Sequence, residues 1–320
     1  MFSTTMEPYV GHLAGIATAM LWTVTSLLFT AAARRIGTTV LNASRIAFGI
    51  ILLALTHRML SGQWVPDALA GQITYLAWSG IIGLTIGDQA LFTAFLDIGP
   101  RISTLVMTTS PIFAAFFGWV VLGETLGVTS LVGITLTVMG VAWVVVERPR
   151  VRDSIPRSLL VRGVVLALIG AACQGGGLML SKQGMGHGWL PADQHLNPQA
   201  ATLVRAVFAG LGMIPIVALR WFRRRSRPDL LMDQLARRRQ TVGYLLAIAG
   251  SVVGPFLGVW MSLVASDRAP VGIAQTLCSM TPLFIIPAVA IIHREHISRR
   301  SILGAIIAIG GSSLLFLDAA

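Results

Sequence analysis

Few side chains in the apolar parts of this chain can do charge chemistry, and Asp88 is the plainest of them. Thr85, Gln89 and Thr93 share its helical face at three- and four-residue spacing, which predicts that the carboxyl group faces a cavity. Burial disfavours a carboxylate charge, so an acid placed there can take up and release a proton. The bland alternative is a structural carboxylate hydrogen-bonded to a neighbouring helix. Arg45 and Arg205 each lie a few residues inside an apolar run. A guanidinium suits two-point recognition of a carboxylate, although reaching toward headgroups explains such arginines equally well.

A second pattern is polar but uncharged. Thr104, Thr108 and Pro111 recur at i, i+4 and i+7, and Gln275, Ser279 and Pro282 repeat that spacing later in the chain. Such a stripe either lines a cavity or glues membrane helices together. Proline in each run leaves a carbonyl without its helical donor, which a cavity can satisfy and lipid cannot. Trp22, Gln174, Lys182 and Trp260 are weaker candidates of the same kind. Glu124 and Glu295 fall between apolar runs, where a carboxylate can cap the start of the next helix. His293, Glu295 and His296 crowd together without a third convincing ligand, so no metal site is expected. Gly175-Gly-Gly177 lacks the lysine and hydroxyl of a phosphate loop, which argues against built-in ATP hydrolysis. No cofactor is expected, and no converging set of residues suggests an enzyme.

Composition defines the solvent that must surround these residues. Hydrophobic residues make up 55% of the 320 and charged ones only 12%, against about 25% charged in soluble domains. The net charge of +11 arises from short arginine clusters between apolar runs, a pattern of lipid-headgroup anchors rather than of a nucleic-acid-binding face. Cys173 and Cys278 lie inside apolar runs and read as small buried hydrophobes. Glu7 precedes the first run where a leader would carry basic residues, so a retained amino terminus is expected.

A membrane helix needs about 20 mostly apolar residues. Ten stretches are predicted to span: Val10–Ala33, Val40–Leu60, Ile73–Leu96, Ile102–Leu122, Val128–Val146, Leu159–Leu180, Ala200–Leu219, Val242–Ser266, Val271–Ile292 and Ile302–Leu317. The longer connections are Glu147–Ser158, Gly184–Gln199 and the arginine-rich Arg220–Gln240.

The two halves align at one offset. Glu124 and Glu295 are 171 residues apart, as are Pro111 and Pro282, Gly83 and Gly254, Gly87 and Gly258, Gly133 and Gly304, and Gly140 and Gly311. At another offset Asn42-Ala-Ser-Arg45-Ile-Ala-Phe48 faces Thr202-Leu-Val-Arg205-Ala-Val-Phe208. Chance apolar similarity does not keep proline, glutamate and glycine in register, so duplication is the reading. With an odd five spans per copy the second copy enters the membrane inverted, an arrangement common among secondary transporters. The expected division is a first repeat over 8–147, a linker over 148–158 and a second repeat over 159–320.

The series Asp88-Gln-Ala-Leu-Phe-Thr-Ala94, Ser110-Pro111, Gly123-Glu124, Gly133 and Gly140 resembles the EamA-like domain of the drug/metabolite transporter superfamily. Thr281-Pro282, Glu295, Gly304 and Gly311 repeat it, so the resemblance covers nearly the whole chain as two domains. Arg294 stands where the second copy would have a glycine. The resemblance implies an all-α integral membrane protein of ten helices in two inverted repeats. It implies a secondary exporter of small organic metabolites, often in exchange for protons, acting as monomer or homodimer in a cell membrane. Asp88, Gln89, Thr85, Thr104, Thr108, Gln275, Ser279, Arg45, Arg205 and Trp260 are the residues expected along its solute and ion path.

Lysine and arginine near span ends favour the cytoplasm. Arg34, Arg35, Arg101, the cluster Arg148–Arg157, the run Arg220–Arg239, and Arg294, Arg299 and Arg300 all follow odd-numbered spans. Only Arg58, Lys182 and Arg268 mark the other side, so both termini are expected outside the cytoplasm.

Overall fold

A computed structural model of the protein describes residues 9–146, 156–189, 195–225, 234–284 and 299–317, and all regular structure among them is helical. Among the described residues seven helices are long and apolar enough to cross a membrane: α1 (Val10–Ile36), α2 (Thr38–Ser61), α3 (Ala70–Asp97), α4 (Ile102–Leu122), α6 (Arg157–Gly184), α7 (Pro198–Phe222) and α8 (Arg238–Arg268). Three shorter apolar helices are α5 (Val128–Trp143), α9 (Val271–Phe284) and α10 (Ile302–Leu315). The outward faces confirm the solvent. Ile112, Ile214, Leu245 and Ile306 are more than half exposed, as are six of the eight tryptophans, a surface that lipid and its interfaces accept and water does not. The chain is a multi-pass membrane protein.

Two boundaries differ from expectation. The predicted gap between the first two spans closes to one residue, because Gly37 takes φ +81° and reverses the chain at once. The arginine-rich segment expected as a connection after Leu219 is helical at both ends. Helix α7 continues to Arg225 and α8 is already helical from Gln234. Arginine is a good helix former, so a helix leaving the apolar layer need not stop there. The linker Glu147–Ser158 is described only from Pro156, and His293, Arg294, Glu295 and His296 lie outside the described residues.

Backbone irregularities recur at the offset of 171. Wide π-type turns occupy Gly80–Gly87 in α3 and Val252–Gly258 in α8, the latter containing Pro255. Helix α4 breaks at Thr108–Thr109, just before Ser110-Pro111, and α9 breaks at Ser279–Met280, just before Thr281-Pro282. Proline cannot donate to the preceding turn, which explains both breaks.

Helix pairs are held by close approach at small residues. Along α6, Gly163, Gly170, Gly177 and Gly184 recur every seven residues and meet Ile98, Gly87, Gly83 and Leu76 of the α3 segment in that order, so α6 runs antiparallel to α3. Along α8, Gly243, Gly250, Gly254 and Gly258 meet Ile36, Phe29, Thr25 and Trp22, so α8 runs antiparallel to α1. Helices α5 and α10 cross at backbone distance. A Cβ on Gly140 would lie 2.5 Å from the Ala308 nitrogen, and one on Gly311 would lie 2.5 Å from that of Thr137. Helix α2 packs on α7, where His57 Nδ1 meets Gln199 Oε1 at 2.9 Å, and α4 packs on α9.

Candidate functional site

A cavity of about 120 Å³ opens among α1, α2, α3, α4, α6, α7, α8 and α9, and none of the described residues of α5 and α10 line it. Trp22 and Thr25, midway along α1, form part of its wall. Apolar groups dominate the rest, including Phe29, Phe92, Phe95, Met107 and Leu178.

Charge enters from three helices. Asp88, 5% exposed, forms a salt bridge through Oδ2 with Arg45 Nη2. Its Oδ1 accepts from Gln174 Nε2 at 3.0 Å. Arg45 Nε donates to Asn42 Oδ1 at 2.8 Å, and its guanidinium carbon stands 4.9 Å from the centre of the Phe92 ring. Arg205 also lines the cavity, is 2% exposed, and its Nε has no hydrogen-bond partner among the described residues. At the α4–α9 contact Gln275 Nε2 donates to Ser110 Oγ at 2.8 Å, and the Ser110 and Ser279 hydroxyls are 3.1 Å apart.

Of the residues expected along the solute path, Asp88, Arg45, Arg205, Thr104, Gln275 and Ser279 meet at this cavity, together with the weaker candidates Gln174 and Trp22. Four do not line it. Thr85 points at α7 and donates to the Ala209 carbonyl at 2.8 Å. Gln89 donates to Thr38 Oγ1 at 3.1 Å. Thr108 turns back onto the Leu105 carbonyl at 2.6 Å. Trp260 packs against Phe256 at 6.0 Å between ring centres. The π-type turn at Gly80–Gly87 shifts Thr85 off the face it would share with Asp88 in an ideal helix, and Gln89, the residue directly after Asp88, stands about 100° round the helix from it.

Asn42 and Ser110 enter the sequence reading only as markers of the repeat and the motif, not as site residues. Asn42 sits three residues before Arg45, a spacing that brings two helical side chains together, and Ser110 precedes Pro111 at the helix break. Gly175-Gly-Gly177 is a close-packing site: a Cβ on Gly175 would lie 2.7 Å from the Ala114 nitrogen.

Glu124 is a cap, but of a different helix from the one expected. Its Oε2 accepts from the Val271 amide at 2.8 Å, at the start of α9, and its Oε1 pairs with Lys182 Nζ at 2.6 Å. The chain reverses at Gly123 (φ +67°), which carries the carboxylate across to the other half rather than down onto α5. Lys182 also donates to the Ala269 carbonyl at 2.8 Å. Nearby, His187 Nε2 and His195 Nε2 donate to Asp267 Oδ1 at 2.8 and 2.6 Å. Sequence separation hid this trio, whose ligand atoms lie within 4.8 Å of one another, close enough to hold a metal ion.

A helical membrane bundle that encloses a small cavity, mostly apolar with a few converging charges, defines a solute-handling membrane protein. The chain belongs to the EamA-like transporter family, whose model matches residues 9–146 and 161–317, and is therefore a membrane transporter. Solved structures share the fold. One crystal structure, described only as that of a protein, superposes with a TM-score of 0.71 at 17% identity, covering 97% of this chain and 96% of the other. Among curated proteins none matches this chain.

Proposed function

We propose that the protein is a secondary active transporter, exporting small organic metabolites by alternating access between two inverted five-helix repeats. The observation that carries the reading is the cavity itself. Its walls come from four helices of each half, and its charges sit where only a protein-lined space can keep them. The packing supports the inversion. The pairs α2 with α7, α4 with α9 and α5 with α10 each join counterparts five helices apart. Helix α1 packs on α8 and α9 as α6 packs on α3 and α4, so exchanging each helix for its counterpart five places away turns one set into the other. Rocking one half against the other would expose the cavity to each side in turn. The repeats are assigned to 8–147 and 159–320.

Proton coupling enters through Asp88. Protonating its carboxyl would weaken the pair with Arg45, which links the proton to the arrangement of α2 and α3. Reconstitution into liposomes with a metabolite library, reading solute flux and internal pH together, tests the proposal. Gradient-driven flux of an organic solute with a matching pH change supports it, and absence of flux across the library removes it.

A further inference from the structure

Arg205 is a buried cation with no ion pair among the described residues, and we propose that its pairing partner is the carboxylate of the cargo, a small organic monocarboxylate with an apolar body. The word cargo rests on the transporter reading; the binding site itself does not.

Three observations converge on the site. First, the Arg205 guanidinium is almost fully buried and lines the cavity. Its Nε lacks a hydrogen-bond partner, and no ion pair among the described residues includes it. A polar group in that condition is unfavourable unless an acceptor meets it. The one carboxylate on the cavity wall, Asp88, already has Oδ2 on Arg45 and Oδ1 on Gln174.

Second, the niche is built for this side chain. A Cβ on Gly83 would lie 2.5 Å from Arg205 Nη2, and one on Gly177 would lie 3.3 Å from it. Glycines of α3 and α6 therefore leave the room that the guanidinium fills.

Third, the duplication shows what is missing. Arg45 and Arg205 hold matched places in the two halves, and Arg45 finds its acid in Asp88. At the offset of 171 the counterpart of Asp88 is Val259, which also lines the cavity and is buried. The second half keeps the cation and lacks the acid.

Charge and shape set the class of ligand. One carboxylate and two guanidinium groups give the cavity wall a net charge of +1. A single negative charge balances it, whereas a doubly charged phosphate ester overshoots. A carboxylate offers the planar pair of oxygens that a guanidinium fork binds at two points. Trp22, Phe29, Met107 and Leu178 offer the remainder of the ligand apolar contact.

The test uses the full chain in lipid nanodiscs, titrated calorimetrically with phenylacetate, its uncharged analogue phenylacetamide, and phenyl phosphate. Phenylacetate is expected to saturate, with the amide and the phosphate each roughly ten-fold weaker or more. Arg205→Gln should weaken phenylacetate by roughly 30-fold or more, the usual consequence of removing one member of a buried charge pair. Val259→Asp, which supplies the missing acid internally, should do the same with Arg205 still in place. Arg205→Gln removes an unpaired buried charge, so it carries the test alone if the aspartate variant fails to fold. Three results overturn the proposal: no saturation by phenylacetate at millimolar concentration, equal or tighter binding of the amide or the phosphate, or phenylacetate affinity unchanged in folded Arg205→Gln. Phenylacetate binding that depends on Arg205, with no flux of any solute in liposomes, removes the transporter reading and leaves the site. Flux of uncharged solutes that Arg205→Gln does not alter, with no phenylacetate binding, does the reverse.

Discussion

Arg45 of α2 and Asp88 of α3, 43 residues apart in the chain, form a salt bridge inside the bundle with both side chains almost wholly buried. Removing water from two charges is costly, and their attraction offsets that cost only while both are present. Neutralising one alone should therefore be worse than neutralising both. Asp88→Asn is expected to lower stability by about 3–5 kcal/mol. The Arg45→Gln/Asp88→Asn pair should recover much of that loss, as read by thermal unfolding in detergent. In liposomes Asp88→Asn should also abolish proton-driven accumulation. Normal accumulation by the folded variant would remove Asp88 from the coupling role.

Single cysteines report which residues of the polar stripe meet water. In a background lacking Cys173 and Cys278, Thr104→Cys, Gln275→Cys and Ser279→Cys are expected to react with small hydrophilic thiol reagents, and substrate should slow the reaction. Thr108→Cys should react much more slowly, because Thr108 lies off the cavity wall, whereas the equally buried Gln275 lines it. Equal rates at all four positions would mean that the break in α4 does not turn Thr108 away.

Glu124 ties three segments together through Val271, Lys182 and its own helix end. Glu124→Ala loses the cap of α9 and leaves the Lys182 ammonium short of its acid, an expected loss of about 3 kcal/mol. Glu124→Gln retains an acceptor for the Val271 amide and should cost less. Denaturant or thermal midpoints for the two variants decide it, and similar losses would show that charge rather than capping dominates.

Orientation follows from the arginine bias. The structure gathers the ends of α1 and α7 with the start of α8, since Gly37 meets Arg220 and Gly243 meets Arg35. Asp97 at the end of α3 pairs with Arg162 near the start of α6 at 2.6 Å. These arginine-bearing ends are expected in the cytoplasm, which places both termini outside it. A reporter fused after Ala320 should show phosphatase activity and dark green fluorescent protein; bright fluorescence reverses the assignment.

The sequence by itself determined the solvent and the scaffold. Long apolar runs have one stable outcome in lipid, a helix that satisfies its own backbone, so an all-helical membrane bundle could be read from composition and length. The glycines and prolines at the offset of 171 were legible for the same reason: each marks a place where the backbone needs room or loses a donor, and the matched breaks at Thr108–Thr109 and Ser279–Met280 follow from them. The partners of the charged side chains were not legible. Asp88 finds Arg45 and Gln174 from two other helices, Glu124 caps α9 instead of the helix that follows it, and Asp267 gathers His187 and His195. Arg205 is matched to Arg45 in sequence, yet only the tertiary structure shows that Arg45 has a salt bridge and that Arg205 has none among the described residues. Periodicity reports which face of a helix a residue occupies; which helix lies opposite is decided by how all the helices pack at once, and that information is long-range.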